Sequence, residues 1–288
     1  MPLKTNKGKN PRPRRCLLYG TPGIGKTTWA AKAPSPLFVD IEGGCSGLLD
    51  AFGKPLDVER TDQIMDWQSL SSTVQQLINE GGPWKTIVLD SIDWAERLLH
   101  RKLCNECDVK EHELHKASGG YGAGYNMAAA RIAKMLDYLA IMQAKWGWTV
   151  ILLGHVKTTR VDDPMRASYT QWSLDMHDKA AACVREWVDE MFFATTDVAI
   201  EDVDENTKNG KRTIAKGGGK RFIRTVGTPS VVAKNRLGMR EIIPLDNFEA
   251  YSRYWPGSGY TPPPAEPEPE PDSDKPAQLK TEPDAETF

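Results

Sequence analysis

The residues best equipped for chemistry lie together near the start of the chain, where GTPGIGKTT fits G-x-x-x-x-G-K-[ST] at every fixed position from Gly20. Glycines at this spacing let the backbone turn so that successive N–H groups converge on one spot. A helix that follows them aims its positive end at the same place. The product is a seat for polyphosphate made by Gly20, Thr21, Pro22, Gly23, Ile24, Gly25, Lys26, Thr27 and Thr28. Lys26 is expected to reach the β- and γ-phosphates of ATP, and the Thr27 hydroxyl to hold Mg²⁺.

Three further positions belong to the same chemistry by their place at the ends of apolar runs. Asp90 closes the run TIVLD, the form of a second nucleotide motif, where a carboxylate takes a water of the Mg²⁺ shell. Glu42 follows the run LFVD. At the carboxyl end of a parallel strand it either orients and deprotonates the attacking water or caps the next turn. His155 ends TVILLGH as a candidate γ-phosphate sensor, or as a histidine satisfied at a strand end. Elsewhere, Cys104, Cys107, His112 and His115 stand at C-x₂-C-x₄-H-x₂-H. Zinc takes such ligands, but the central gap is far shorter than in the usual fingers, so scattered solvent-facing histidines and small buried cysteines are the competing reading. Residues 157–172 read as a loop in which Lys157, Arg160 and Arg166 accompany Tyr169 and Trp172. That mixture suits phosphate contacts and base stacking on single-stranded nucleic acid, and equally a plain solvated loop.

The elements that must position these groups follow from periodicity. Short apolar runs before Gly20, before Glu42, through Asp90 and through His155 read as buried parallel strands. Trp67, Leu70, Val74, Leu77 and Ile78 recur at helical spacing and stop at Gly81-Gly82-Pro83. Residues 93–104 and 176–190 read as helices, and 126–145 as a long amphipathic one, with Ile132, Met135, Leu136, Leu139 and Met142 as its core stripe. Between them, residues 105–125 are polar and glycine-rich, a long loop. From Glu190 the chain turns β-rich, with a hairpin expected through 211–224 around Gly217-Gly218-Gly219 and a strand over 230–233. The expected fold class is α/β: one domain over residues 15–255 with a mostly parallel sheet, helices on both faces and a β-rich C-terminal extension. Residues 1–14 read as a disordered basic arm, and 256–288 as a disordered acidic, proline-rich tail.

Composition limits the partners. Hydrophobic residues make up 40%, which suits a globular domain, and no run approaches a membrane span. Five scattered cysteines argue against a disulfide framework and for a reducing, cytoplasmic setting, with no secretory signal at the start. The net charge of −2 hides an asymmetry: from Glu266 onward eight acids face two lysines, which leaves the rest at about +4. A basic body with an acidic tail suits a polyanion partner with which the tail competes, or simply a solubilised enzyme.

Taken together, the stretches CLLYGTPGIGKTT, FVDIEGG and IVLDSIDWAERLL resemble the RecA-like P-loop ATPases. GYGAGYN, ILLGHVK and HDKAAACVREWVDEMFFA are similar to the phage nucleotide-binding proteins of the single-strand-annealing recombinase group. The resemblance implies a RecA-like core, the role of general base for Glu42 and the magnesium role for Asp90. It also matches VVAKNRLG to a segment that reaches across to a neighbour's ATP, with Lys234 at its first lysine and Arg236, an arginine, in place of the second. His155 stands where RecA carries glutamine. The large end domains with which cellular RecA pairs DNA have no counterpart, which favours annealing over full strand exchange. The last residues, DAETF, are similar to the acidic tips of single-stranded-DNA-binding proteins and imply docking to replication partners. The implied protein is a Mg²⁺-dependent ATPase acting on single-stranded DNA as a ring or filament of identical subunits. Two alternatives stand beside it: another P-loop ATPase, such as a helicase loader or DNA motor, or a nucleotide-gated binding protein without turnover.

Overall fold

The computed structural model describes residues 12–49, 53–55, 57–164, 167–203, 212–255 and 258. Most of the basic arm, Arg166 and almost all of the tail, including its DAETF tip, lie outside the described residues. The central strands are β1 (Arg15–Gly20), β2 (Pro36–Asp40), β4 (Thr86–Asp90) and β5 (Thr149–Val161). With the short β3 (Glu59–Arg60) and the first part of β7 (Glu190–Val203) they form a parallel sheet ordered β3-β2-β4-β5-β1-β7. β8 (Arg212–Arg224) and β9 (Ile242–Pro244) continue it antiparallel beyond β7.

Strict alternation along the central strands explains the layering. Leu17, Tyr19, Leu37, Val39, Ile87, Leu89, Val150 and Leu152 face one side of the sheet. Four helices cover that side: α2 (Trp67–Glu80), α3 (Ile92–Glu106), α4 (Ala123–Trp146) and α5 (Asp178–Trp187). Cys16, Leu18, Phe38, Val88, Ile151 and Leu153 face the other side. There α1 (Lys26–Ala30) and the C-terminal α6 (Glu249–Ser252) close the core, with the Trp29 ring 4.7 Å from Phe248 and 5.7 Å from Tyr251. This is the mostly parallel α/β architecture with a β-rich extension that the sequence leads one to expect. Asp66 caps α2 by accepting from the Ser69 amide at 2.8 Å, and Gly81, at φ 68°, ends it.

Four local expectations are corrected. Residues 157–161 and 169–172 are strand rather than loop: β5 runs on to Val161 and pairs antiparallel with β6 (Tyr169–Leu174). Residues 212–224 do not fold into a hairpin of their own. Gly217-Gly218-Gly219 lies inside β8, whose partner is β7, so the two strands form a long ribbon that runs past the last β1 contact at Ala194 and shifts register between Thr196 and Val198. Residues 230–233 supply isolated bridges, Val231 with Trp172 and with Thr228, rather than a strand. Within the expected loop 105–125, short 3₁₀ turns fall in Glu111–Gly119, broken by a kink at Ala117 and Ser118, and α4 starts at Ala123. No helix among the described residues is long and apolar enough to cross a membrane, and all five cysteines are free.

Gly20, where β1 meets the phosphate-loop sequence, is fixed by contact. A Cβ there would sit 2.6 Å from the Ala194 carbonyl oxygen, which is backbone and cannot step aside. Gly20→Ala is therefore expected to destabilise the fold by about 1–3 kcal/mol, read as a lower urea midpoint with an unchanged slope.

Candidate nucleotide-binding site

β1 and β4 end on either side of β5, and the site lies at those two termini and at the middle of β5, which runs on past them. Gly20 pairs with His155, and Asp90 pairs with Asp40 and Leu153. After β1 the chain turns through Gly23 at φ 74° and Gly25 at φ 108°, both left-handed values natural only to glycine. Among the described residues, the amides of Gly23, Gly25, Lys26 and Thr27 donate to no backbone carbonyl. Unsatisfied amides grouped at a helix start are what a phosphate needs. Lys26 is buried and donates to the carbonyls of Gly20 and Thr21, both at 3.1 Å. Burial lowers its pKa, against the pull of the Asp90 and Glu42 charges.

Thr27 and Asp90 meet directly: the hydroxyl donates to the carboxylate at 2.8 Å. Asp90 is buried, and burial pushes its pKa up to about 6 despite the Thr27 bond. A hydroxyl and a carboxylate are hard oxygen donors of the kind that Mg²⁺ prefers, so the residues present fit that ion. Cys45 Sγ approaches the same carboxylate at 3.8 Å, and Asp40, also buried, accepts from the Gly43 amide at 2.8 Å.

Glu42 is hung on β4, since its amide and that of Ile41 both donate to the Asp90 carbonyl, at 3.0 and 2.8 Å. Its carboxylate lies 3.7 Å from His155 Nε2. His155 is held in turn by Asp93, which accepts from the His155 amide at 3.0 Å and contacts ring Nδ1 at 2.9 Å. The Asp93 hydrogen bond raises the His155 pKa, outweighing burial. Burial works to raise Asp93 as well, but the bonds from His155 win and lower it. The result is a carboxylate–imidazole–carboxylate chain with one end fixed and buried and the other facing the phosphate loop.

The sequence reading missed Asp93, which there looks like an ordinary acid in the first turn of a helix. It also missed Arg221 of β8, whose guanidinium donates to the Ile24 carbonyl at 3.2 Å and stands against Gly25. Neither has a motif to announce it, because each reaches the site through pairings distant in sequence. Lys234 and Arg236 are not brought to this site. Lys234 Nζ donates to the carbonyls of Arg185 and Val188, at 2.9 and 2.6 Å, and so caps the end of α5. Arg236 pairs with Asp189 at 3.5 Å, at the opposite edge of the sheet. The cysteine–histidine set does not converge either. Cys104 is buried with its Sγ on the Glu111 carbonyl at 3.6 Å, and among the described residues no three His, Cys, Asp or Glu side chains are placed to hold a metal.

With β5 lying between the phosphate-loop strand and the strand that ends in Asp90, fold and site together define an α/β nucleotide-binding domain of the P-loop class. A family model described as AAA domain matches residues 12–237, most of the chain, and the chain belongs to that family. A solved structure, the crystal structure of the RadB recombinase, is 13% identical and aligns with a TM-score of 0.42 over 74% of this chain and 80% of that one. No curated protein matches the sequence.

The Asp93–His155 pair gives a signed pH dependence. Because folding raises the His155 pKa, its stabilisation is complete below the ordinary histidine value of about 6.5 and is lost as pH rises through the raised value. The lowered Asp93 pKa keeps that carboxylate charged throughout this window. Asp93→Asn should therefore lower the melting temperature most near pH 6, with the deficit shrinking toward pH 9. An equal deficit at all pH values in thermal melts would remove the ion pair from the account.

Proposed function

We propose that this chain is a Mg²⁺-dependent ATPase that acts on single-stranded DNA, in recombination, annealing or replication of the phage type. The observation that carries the reading is the chain Asp93–His155–Glu42 set against the phosphate loop. In this reading the amides of Gly23, Gly25, Lys26 and Thr27 orient the triphosphate, and Lys26 leaves the carbonyls of Gly20 and Thr21 for the β- and γ-phosphates. Thr27 and Asp90 would hold Mg²⁺, whose charge would offset that of the phosphates. Glu42 takes the proton of the attacking water. His155, fixed by Asp93 at Nδ1, presents Nε2 toward Glu42 and the γ-phosphate, where it registers cleavage.

The DNA partner is inferred from what β5 joins. The strand passes without interruption from His155 to Lys157 and Arg160 in the β5–β6 hairpin, beside the partly exposed Trp172. Tyr121, fully exposed at φ 51° in the glycine-rich turn before α4, adds a second ring. Cations interleaved with exposed rings suit a flexible strand whose bases stack. DNA held by the hairpin would pull on His155 through the strand itself. A ring or filament of identical subunits accords with Arg236, whose half-exposed side chain can turn to a neighbour's phosphates. Lys234 would first have to release the end of α5. Docking of replication proteins on the acidic tip belongs to the same reading.

Phosphate release measured with and without single-stranded DNA, with the oligomers imaged in the same buffers, tests it. Stimulation by DNA without a helicase partner is expected, whereas ATP-dependent association with no phosphate release would favour the nucleotide-gated binder. Lys26→Ala should weaken ATP binding by about 10- to 100-fold, the loss of a charge-assisted bond. Glu42→Gln should bind ATP normally and turn over at least about 100-fold more slowly. Normal turnover in Glu42→Gln would end the assignment of the base.

A further inference from the structure

At the edge of the sheet where β1, β4 and β5 begin lies a cavity of about 640 Å³. It is separated from the nucleotide site by the length of the central strands, about 20 Å at the usual rise per residue. Trp84, Trp146, Trp148 and Trp255 line it together with Arg12 and Lys85, and no acidic residue does. Trp146 stacks on Trp148 at 5.8 Å, and Trp84 meets Trp148 edge-on at 5.9 Å. Lys85 is exposed. Arg12 pairs with Asp189, but that carboxylate also serves Arg236, so two guanidiniums share one negative charge and the edge keeps a positive surplus. Trp255 Nε1 is buried without a partner among the described residues.

We propose that this cavity is the docking site for the chain's own segment TPPPAEPEPEPD, residues 261–272. Three observations favour that occupant. The segment leaves from the cavity wall, because it follows Trp255 by a few residues. Six residues separate Trp255 from Pro262, a reach of roughly 20 Å when extended, enough to return to any point of the cavity. Its chemistry is complementary: alternating prolines offer flat rings to a tryptophan-lined groove in the manner of polyproline recognition, and Glu266, Glu268, Glu270 and Asp272 offer carboxylates to Lys85 and Arg12. Tethering by so short a connection also gives an effective concentration in the millimolar range, so a weak intrinsic affinity is enough. The docked segment screens Lys85 and Arg12 from any other polyanion. This inference does not depend on the reading of the nucleotide site.

Zero-length carbodiimide coupling of the full chain, read by mass spectrometry on the monomer fraction, tests it. The expected product joins Lys85 to a carboxylate among residues 266–272. Replacing Pro262, Pro263 and Pro264 with serine, which leaves every carboxylate and every core residue in place, should lower its yield about tenfold. Coupling of the tail to Lys85 no more often than to Lys102 or Lys134, or in dimers alone, would overturn the proposal.

Discussion

The nucleotide end of this molecule depends on β5 lying between β1 and β4. Were β1 and β4 adjacent, Gly20 and Asp90 would come together with nothing between them. The inserted strand delivers His155 into that gap, in register with Gly20, while Leu153 pairs with Asp90. It also continues outward as one arm of the β5–β6 hairpin. A parallel sheet buried on both faces tolerates no slip, because shifting β5 by one residue would exchange Ile151 and Leu153 with Val150 and Leu152 between two different cores. The position of one imidazole is therefore set by the packing of the whole sheet.

The same constraint gathers negative charge. Asp40, Asp90 and Asp93 are all buried near the ends of β2 and β4, and each has a different answer to desolvation. Asp93 has a histidine and ionises readily. Asp90 has a threonine hydroxyl, the Cys45 thiol and the field of Lys26, and burial still pushes its pKa up to about 6. Asp40 folds back on the amide of Gly43. Of the three, Asp90 is the carboxylate whose environment leaves most to be gained from a cation, and it is the one beside Thr27.

Much of this was legible in the sequence because the signals are local. The phosphate loop declares itself by glycine spacing, β4 by an apolar run ending in an acid, and α2 by its stripe from Trp67 to Ile78. What was hidden depends on distant pairing. Lys157 and Arg160 look like loop residues until β6 supplies the partner that makes them a strand. Gly217-Gly218-Gly219 has the composition of a turn, yet it lies within β8, where Gly217 pairs with Val198 and Gly219, at φ 69°, sits at the shift in register against β7. Lys234 fits a motif, but the carbonyls of Arg185 and Val188, which claim its ammonium, lie far back in the chain. Asp93 and Arg221 carry no motif, since their importance comes from what the fold sets opposite them.

The ribbon of β7 and β8 has one more implication. Past Ala194, β7 has lost β1 as a neighbour, so along that stretch one row of its peptide groups faces outward with no strand beside it among the described residues. Such a margin invites another chain to add itself by main-chain bonding, the usual start of unwanted aggregation. The register shift between Thr196 and Val198 falls where this exposure begins. An irregularity there coils the pair more tightly and breaks the even spacing that an intruding strand would have to match. The slip in the ladder thus acts as a guard on this open border.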